Sequence, residues 1–128
     1  MRSSSGEVRI FQILSENSIP FSEEYEFPDL ISSSGRHLRF DFCVFDRHGR
    51  IAFLIEYQGR QHYLPVRRFG GEKGYHKQRV NDRKKREYCI LHGYNLVCVP
   101  YWDEDRLSLD YILKAAGYDV RGGVDGLR

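Results

Sequence analysis

Two acidic residues on neighbouring apolar segments could share a metal ion. Asp41 lies in the aromatic-rich segment 38–45, and Glu56 follows the apolar run 51–55. The intervening sequence Asp-Arg-His-Gly at 46–49 favours a turn, so we expect a β-hairpin that brings Asp41 roughly opposite residues 54–56. Two carboxylates there would repel each other and resist desolvation, and a divalent cation would relieve both effects. Hard oxygen ligands suit Mg²⁺, which could activate a water molecule and neutralise charge on a phosphodiester.

Gln58 and His62 follow Glu56 in the chain and extend the candidate site. Because side chains alternate along a strand, Glu56 and Gln58 should point to the same side of the sheet. Histidine is the most frequent general base in enzymes, so His62 could deprotonate or orient an attacking water. The alternative for either carboxylate is an ordinary ion pair with an Arg or Lys, which also perturbs carboxyl groups.

These residues resemble a known nuclease signature. Asp41, Glu56 and Gln58 are similar to the Asp…Glu-x-Lys motif of the PD-(D/E)XK nuclease superfamily, with Gln58 in the place of the lysine. The wider pattern resembles the phage homing-type (Glu-Asp-x-His-Asp) endonucleases, which are related to very-short-patch repair endonucleases. That pattern comprises Gly6-Glu7, the FDF at 40–42, the IEYQGRQHY at 55–63, Asp82 and Pro100-Tyr101.

The resemblance covers about residues 6–113 and implies a role for each matching residue. The metal, Mg²⁺ with Mn²⁺ as a substitute, would be bound by Asp41, Glu56 and the carbonyl of Tyr57. The remaining catalytic residues would be His62 as general base or water-orienting group, Glu7 and Asp82 as flanking acids, and Gln58. A lysine at position 58 could stabilise a hydroxide electrostatically, whereas glutamine only forms hydrogen bonds. Activation of water would therefore depend on the metal and on the histidine, and a catalytically weak protein is an open alternative.

The acid Glu7 has a second interpretation. Ser4 and Glu7 stand three residues apart ahead of an apolar run, which is the spacing of a capping box at a helix start. We expect the first helix to span residues 6–17, with Val8, Ile10, Phe11 and Leu14 facing inward. Glu7 is then either a helix cap or a residue that reaches the metal site.

The remaining elements are predicted from hydrophobic patterns and breakers. Residues 21–27 form an imperfect strand that Pro28 should end, and a second helix over 76–91 should be closed by Gly93, with Val80, Tyr88 and Leu91 facing the core. A strand over 95–101 precedes a last helix over 107–116, which Asp103 or Asp105 could cap and Gly117 should end. Between His62 and the second helix, residues 64–75 contain Pro65 and three glycines, so we expect a flexible loop.

Positive charge is concentrated in one segment. The net charge of the chain is +2, but residues 60–87 hold ten Lys or Arg against three acids. A basic segment beside an acidic metal site is what binding to a phosphate backbone requires. The alternative is an ordinary solvated helix face. The candidate nucleic-acid-binding residues are Arg60, Arg67, Arg68, Lys73, Lys77, Arg79, Arg83, Lys84 and Lys85.

Two of these predictions have alternatives. Arg67, Arg68 and Phe69 on the loop could contact DNA, or the loop could be a mobile surface lid. Lys85 stands three residues after Asp82 on the predicted helix, so the two side chains are neighbours. Lys85 could therefore reach the site and supply the cation that Gln58 lacks, or form a plain surface pair with Asp82.

Length and composition limit the class of protein. The 128 residues suit a single domain, which we place at 1–117, with a flexible tail at 118–128. Cys43, Cys89 and Cys98 lack the paired spacing of zinc sites, so we expect reduced thiols in a cytoplasmic protein. No stretch resembles a membrane span or a signal peptide, and nothing in the sequence calls for a small-molecule cofactor.

The element order predicted from these patterns is helix, three strands, helix, strand, helix, which is an α/β arrangement. The resemblance implies the restriction-endonuclease-like αβββαβ core, with a mixed central sheet and an extra C-terminal helix. The expected function is Mg²⁺-dependent hydrolysis of DNA phosphodiesters, as a homodimer or with an associated DNA-reading partner. The alternatives are an inactive nucleic-acid-binding module on the same fold, or a junction-specific or RNA-directed nuclease.

Overall fold

Four strands form one mixed sheet that carries helices. A computed structural model describes residues 4–121 and residue 127. Its helices and strands are, in chain order, α1 (Ser5–Glu16), β1 (Phe21–Ile31), β2 (His37–Phe45), β3 (Ile51–Gln58), α2 (Gly71–His92), β4 (Leu96–Pro100) and α3 (Leu109–Ala115). The predicted α/β class is confirmed, and the observed order of helices and strands is the predicted one.

The sheet order is β1-β2-β3-β4, which makes β2 and β3 the central strands. Strands β1, β2 and β3 form an antiparallel meander, and β4 pairs with β3 in parallel after the α2 crossover. The hairpin register places Phe42 opposite Ile55, and the parallel register places Glu56 opposite Cys98. The acidic end of β3 therefore lies in the middle of the sheet, between β2 and β4.

Each face of the sheet is covered by its own hydrophobic core. Along β3, Phe53 and Ile55 join one core with α1 and α3, while Leu54 joins the other with Cys89 of α2. This alternation is the two-residue period of a strand that is covered on both sides. Each fully buried side chain of this size contributes roughly 1.5–3 kcal/mol to folding. The two cores together fix β3, and with it the acidic residue at its end.

The first strand corrects one prediction. Pro28 does not end β1, which continues to Ile31 with a register shift between Glu26 and Ile31. Proline has no N–H to donate to a neighbouring strand. Strand β1 lies at the edge of the sheet, and Pro28 falls within its register shift, so no hydrogen bond between strands is lost there.

Helix α1 buries two of the four side chains that we predicted to face inward, Ile10 and Leu14. Val8 and Phe11 are 37% and 41% exposed, whereas Gly6, Ile10, Ile13 and Leu14 are buried. The predicted inward positions of Val8 and Phe11 are therefore wrong. The buried positions of α1 recur with the helical period from Gly6 onward. Glycine is not a hydrophobic residue, so the hydrophobic pattern does not predict that position 6 faces inward.

Helix α2 begins earlier than predicted. It starts at Gly71 and includes Gly74, so only residues 64–70 of the expected loop lie outside α2, and they contain a 3₁₀ turn, Arg67–Phe69. Gly93 closes the helix in the left-handed conformation (φ 75°), as predicted. Val80 and Leu91 are exposed, so their predicted core positions are wrong. Helix α2 consists mostly of basic and polar residues, so its few apolar residues do not define which face is buried.

The C-terminal part begins with a short 3₁₀ helix, Tyr101–Arg106. Ser108, and not Asp103 or Asp105, caps α3 by accepting a hydrogen bond from the N–H of Tyr111. Tyr118 packs against Phe53, while residues 122–126 and 128 of the predicted tail lie outside the described residues. No helix within residues 4–121 combines the length and apolar character needed to cross a membrane.

Candidate active site

The β2–β3 hairpin brings the two predicted carboxylates together. The backbone N–H of Asp41 donates to Glu56 Oε2 (2.9 Å), and the backbone N–H of Tyr57 donates to Asp41 Oδ2 (2.7 Å). Each carboxylate thus accepts a backbone hydrogen bond from the opposite strand, just beyond the last regular pair, Phe42 and Ile55. We call Asp41 and Glu56 the acidic fork.

Burial makes the acidic fork electrostatically strained. Glu56 is only 3% exposed. Burial, together with the negative charges of Glu56 and Glu7, raises the pKa of Asp41 to about 8. Burial also raises the pKa of Glu56, although the ammonium of Lys85 opposes that change. Two neighbouring carboxyl groups with raised pKa values favour either protonation or a cation beside them.

Lys85 supplies one positive charge to the acidic fork. Its Nζ donates to Glu56 Oε1 (2.8 Å) from the buried face of α2 and lies 5.6 Å from the centre of the Phe40 ring. Lys85 is therefore buried beside the fork, and we correct its predicted assignment as a phosphate-binding residue. Its ammonium places a positive charge near the two carboxylates. The side chain of Gln58 is neutral and cannot supply that charge.

A histidine–aspartate pair lies beside the acidic fork. His62, in the 3₁₀ turn Arg60–His62, is 2.9 Å from Asp82 Oδ2 through Nδ1, and Gln78 donates to Asp82 Oδ1. Asp82 therefore binds His62 and Gln78, and not Lys85. A proton on Nδ1 leaves Nε2 as the acceptor nitrogen of the neutral ring. We call His62 and Asp82 the His–Asp dyad.

Gln58 connects the fork and the dyad. Gln58 and Asp82 line a small cavity together with Glu56 and Lys85, and both also line the pocket that contains His62. The Gln58 side-chain oxygen accepts a hydrogen bond from the Tyr63 hydroxyl (2.6 Å), which fixes the orientation of the amide. Gln58 therefore lies between the two groups.

Glu7 is confirmed as a helix cap, and its predicted role at a metal site stays a prediction. It forms a capping box with Ser4, and its negative charge contributes to the raised pKa of Asp41. Because Gly6 has no side chain, α1 can lie close to Tyr57 of β3. A Cβ at position 6 would overlap the Tyr57 ring. The Tyr57 hydroxyl in turn donates to Glu104 (3.0 Å), which holds the ring under the start of α1.

Two basic concavities flank this arrangement. A groove of about 640 Å³ lies over Glu7 and Tyr57 and is lined by Arg60, Arg68 and other residues. A smaller pocket of about 210 Å³ surrounds the His–Asp dyad and is lined by Arg79, Arg83 and Arg86. We call them the main groove and the arginine pocket. The structure thus places four of the predicted nucleic-acid-binding residues next to the site.

Other predicted basic residues lie away from these concavities. Lys73 and Lys77 are exposed on α2, Arg67 is exposed in the short helical turn Arg67–Phe69, and Lys84 donates to the Ile31 carbonyl (3.3 Å). Arg86 was not among the predicted binding residues. Its spacing from Arg79 and Arg83, at seven and three residues, is the helical signal that identifies one face.

Both carboxylates of the acidic fork offer the hard oxygen atoms that Mg²⁺ prefers as ligands. No three His, Cys, Asp or Glu side chains within residues 4–121 converge to enclose a metal ion. Mg²⁺ is usually held by one or two carboxylates, with water and substrate phosphates in the other positions. In the acidic fork, a divalent cation would lower the cost of ionising two buried carboxyl groups that have only one ammonium beside them.

Comparison with known proteins gives one partial match. The chain is 47% identical over 53 residues to the uncharacterized protein 094L of Frog virus 3 (isolate Goorha). The match covers 40% of this chain and 34% of the viral protein, so the chain spans about a third of that relative. No protein-family model matches the chain, and no solved structure matches it.

Proposed function

We propose that this protein is a metal-dependent DNA endonuclease with a restriction-endonuclease-like core of the PD-(D/E)XK type, close to the homing-type branch. The observation that carries the proposal is the convergence of two buried carboxylates, Asp41 and Glu56, beside the His–Asp dyad. Two buried carboxylates decrease the stability of a folded protein. A function that requires their charge therefore explains their presence better than a structural role does.

Asp41 and Glu56 would hold the ion, with the Tyr57 carbonyl as the third protein ligand. Mg²⁺, or Mn²⁺ in its place, supplies Lewis-acid chemistry that polarises the phosphodiester and stabilises the negative charge that develops on it. The fork holds its carboxylates in place through backbone N–H donors, so little reorganisation is needed when the charge appears. Glu7, beside Asp41, adds to the negative charge that attracts the ion.

His62 would remove the proton from the attacking water. The new bond forms between the water oxygen and phosphorus, and the water proton moves to Nε2 of His62. The bond from phosphorus to the leaving oxygen breaks, and that oxygen takes a proton from solvent water to leave as a hydroxyl group. Asp82 accepts the Nδ1 hydrogen bond, which selects this tautomer and stabilises the protonated ring. Gln78, by holding the other Asp82 oxygen, keeps the dyad oriented.

Lys85 would perform the electrostatic role that Gln58 cannot. Its ammonium reaches Glu56 from α2, so the positive charge enters the site from the helix. Guanidinium groups on both sides of the site, such as Arg60 and Arg83, would bind the DNA backbone. The part of the chain that the structure describes holds one such site, so cleavage of both strands would need a homodimer, a second encounter, or an associated DNA-reading partner.

A plasmid-nicking assay with Mg²⁺ or Mn²⁺ tests the proposal. Wild type should convert supercoiled DNA to the open-circular form, and Asp41→Ala and Glu56→Ala should lose this activity. Two matched variants at exposed acids, Asp110→Ala and Glu16→Ala, should cut like wild type. Equal activity in the four variants would refute the proposal, because the nicking would then come from a contaminating nuclease.

A nucleic-acid-binding module without turnover is the second candidate. It is favoured by Gln58 in the lysine position and by Lys85, which already engages one oxygen of Glu56. Such a protein would bind DNA in a salt-sensitive manner and show no metal-dependent cleavage. A substrate panel of duplex, flap, four-way junction and RNA separates both candidates from a structure-specific or RNA-directed nuclease.

A further inference from the structure

Helix α2 carries two basic stripes on different sides. The arginine stripe consists of the three residues of α2 that line the arginine pocket, Arg79, Arg83 and Arg86. The lysine stripe consists of three residues spaced by four and seven positions, Lys73, Lys77 and Lys84. Residues with these spacings lie on one side of a helix. At 3.6 residues per turn, the two stripes are about 130° apart around the helix axis.

The two stripes flank the outward face of α2 symmetrically. Lys85 and Cys89 are buried against the sheet, and their side of the helix is opposite the midpoint between the stripes. Over residues 73–86, the only acid is Asp82, which binds His62. The outward face therefore has positive charge along both sides and no exposed acid for about 21 Å of helix length.

The turn between β1 and β2 extends the lysine stripe. Lys84 Nζ donates to the carbonyl oxygen of Ile31 (3.3 Å), which joins the helix to the start of this turn. The turn is ordered by its own hydrogen bonds, because the Ser32 N–H donates to the Arg36 carbonyl oxygen (2.8 Å) and the Arg36 N–H donates to Ser32 Oγ (3.2 Å). The side chain of Arg36 is exposed there. We call residues 32–37 the hairpin tip.

The hairpin tip lies at the same end of the sheet as the acidic fork. Strand β2 starts at His37 and antiparallel β3 ends at Gln58, so both strand ends meet there. Asp41 is four residues along β2 from His37, a distance of about 13 Å. Arg36 and the lysine stripe thus form a second basic surface, on the other side of α2 from the His–Asp dyad. In the described part of the chain, none of its four basic side chains forms an ion pair.

Two lines of positive charge on one helix fit the two phosphate backbones that border a DNA groove. With its side chains an α-helix is about 10–12 Å across, and the major groove of B-DNA is about 12 Å wide. Lysine and arginine side chains beside a backbone replace its condensed counterions.

We propose that α2 lies in the major groove of bound DNA, with one backbone against each stripe. The arginine stripe binds the strand that passes the His–Asp dyad, and the second basic surface binds the opposite strand. The inference rests on the proposed function for the identity of the ligand, DNA, and it requires no cleavage.

Salt-dependent binding tests the second basic surface. The probe is a fluorescein-labelled duplex of about two helical turns, in a buffer with Ca²⁺, and anisotropy is measured over a series of KCl concentrations. Each phosphate contact contributes about 0.9 to the slope of log K against log salt. Arg36→Gln should reduce the slope by about one, and Arg36→Gln/Lys73→Gln/Lys77→Gln by about three. Arg47→Gln, at an exposed arginine in the β2–β3 turn at the opposite end of the sheet, should keep the wild-type slope.

The triple variant also shows whether both stripes bind one duplex at the same time. An unchanged slope in this variant would overturn the inference, because DNA would then bind the arginine stripe alone. An equal loss of slope in Arg47→Gln would overturn it too, since the effect would come from total charge and not from this surface.

A second probe tests the groove. Glucosylated 5-hydroxymethylcytosine fills the major groove and leaves the backbone charge unchanged. Wild type should bind a duplex with this base at least about tenfold more weakly than the unmodified duplex of the same sequence. Equal affinity for the two duplexes, or no binding to either, would overturn the inference. Binding of this kind without nicking in Mg²⁺ would refute the proposed nuclease and leave the placement of α2 intact.

Discussion

Replacement of Lys85 by methionine should destabilise the metal-free protein strongly. Lys85 and Glu56 are both buried, with side chains 11% and 4% exposed, and they are joined at 2.8 Å. Methionine keeps most of the volume but removes the charge, which leaves Glu56 and Asp41 without their cation. Removal of one partner from a buried pair costs about 3–5 kcal/mol. For a domain of this size, the loss corresponds to a decrease of roughly 10–20 °C in Tm.

The assay is urea unfolding at pH 7 in EDTA, followed by circular dichroism. Lys77→Met is the matched control, because Lys77 is an exposed lysine on the same helix, and its free energy of unfolding should stay within about 0.5 kcal/mol of wild type. The double variant Lys85→Met/Glu56→Gln should recover at least about 2 kcal/mol, since it removes both charges of the pair.

A small effect would refute the reasoning. If Lys85→Met unfolds like Lys77→Met, no uncompensated charge is left behind, and the acidic fork is not assembled as described. If the double variant is no more stable than the single one, the effect of Lys85 is packing and not charge. Plasmid nicking by Lys85→Met, measured in parallel, then reports whether the ammonium also contributes to turnover.

Three further predictions follow from the acidic fork and its supports. Gly6→Ala should destabilise the protein by about 1–3 kcal/mol, because the added Cβ overlaps Tyr57, whereas Gln12→Ala on the same helix should have little effect in the same unfolding assay. Asp41→Asn should abolish nicking yet raise the free energy of unfolding of the metal-free protein at pH 8 by more than about 1 kcal/mol, since it removes a buried charge; a loss of stability would contradict this. The pKa of Asp41 rises on folding from 3.8 to about 8, so its contribution to stability is largest in acid and is lost as the pH rises through that range. The stability advantage of Asp41→Asn in EDTA should therefore grow between pH 5 and pH 8, and a constant difference would show that Asp41 titrates normally.

The β2–β3 hairpin can be predicted from the sequence, because the residues that indicate it are close together in the chain. The turn at residues 46–49 lies between an aromatic-rich arm and a continuously apolar arm, which indicates a hairpin. Continued one pair beyond Phe42 and Ile55, its register places Asp41 opposite Glu56. The α/β class and the element order follow from similar local patterns. Boundaries were less well predicted where tertiary context overrides a breaker, as at Pro28 on the edge strand.

Features that depend on packing between distant segments were predicted poorly. The face of α1 that packs inward includes Gly6, whose role depends on a ring fifty-one residues later, at Tyr57. The contact of Lys85 with Glu56 was only one of two alternatives, because helix periodicity gives a side but not a partner. Tyr63 and Trp102, whose ring centres are 4.7 Å apart, follow β3 and β4, and nothing in either local sequence marks their contact.

Anomalous diffraction can show whether the acidic fork binds a divalent cation beside the His–Asp dyad. Crystals grown with Mn²⁺ should show one anomalous peak within about 2.5 Å of carboxylate oxygens from both Asp41 and Glu56. The same experiment on Asp41→Asn should show the peak weakened or absent. A wild-type map at saturating Mn²⁺ with no peak at the fork, and with Lys85 still bonded to Glu56, would contradict the account.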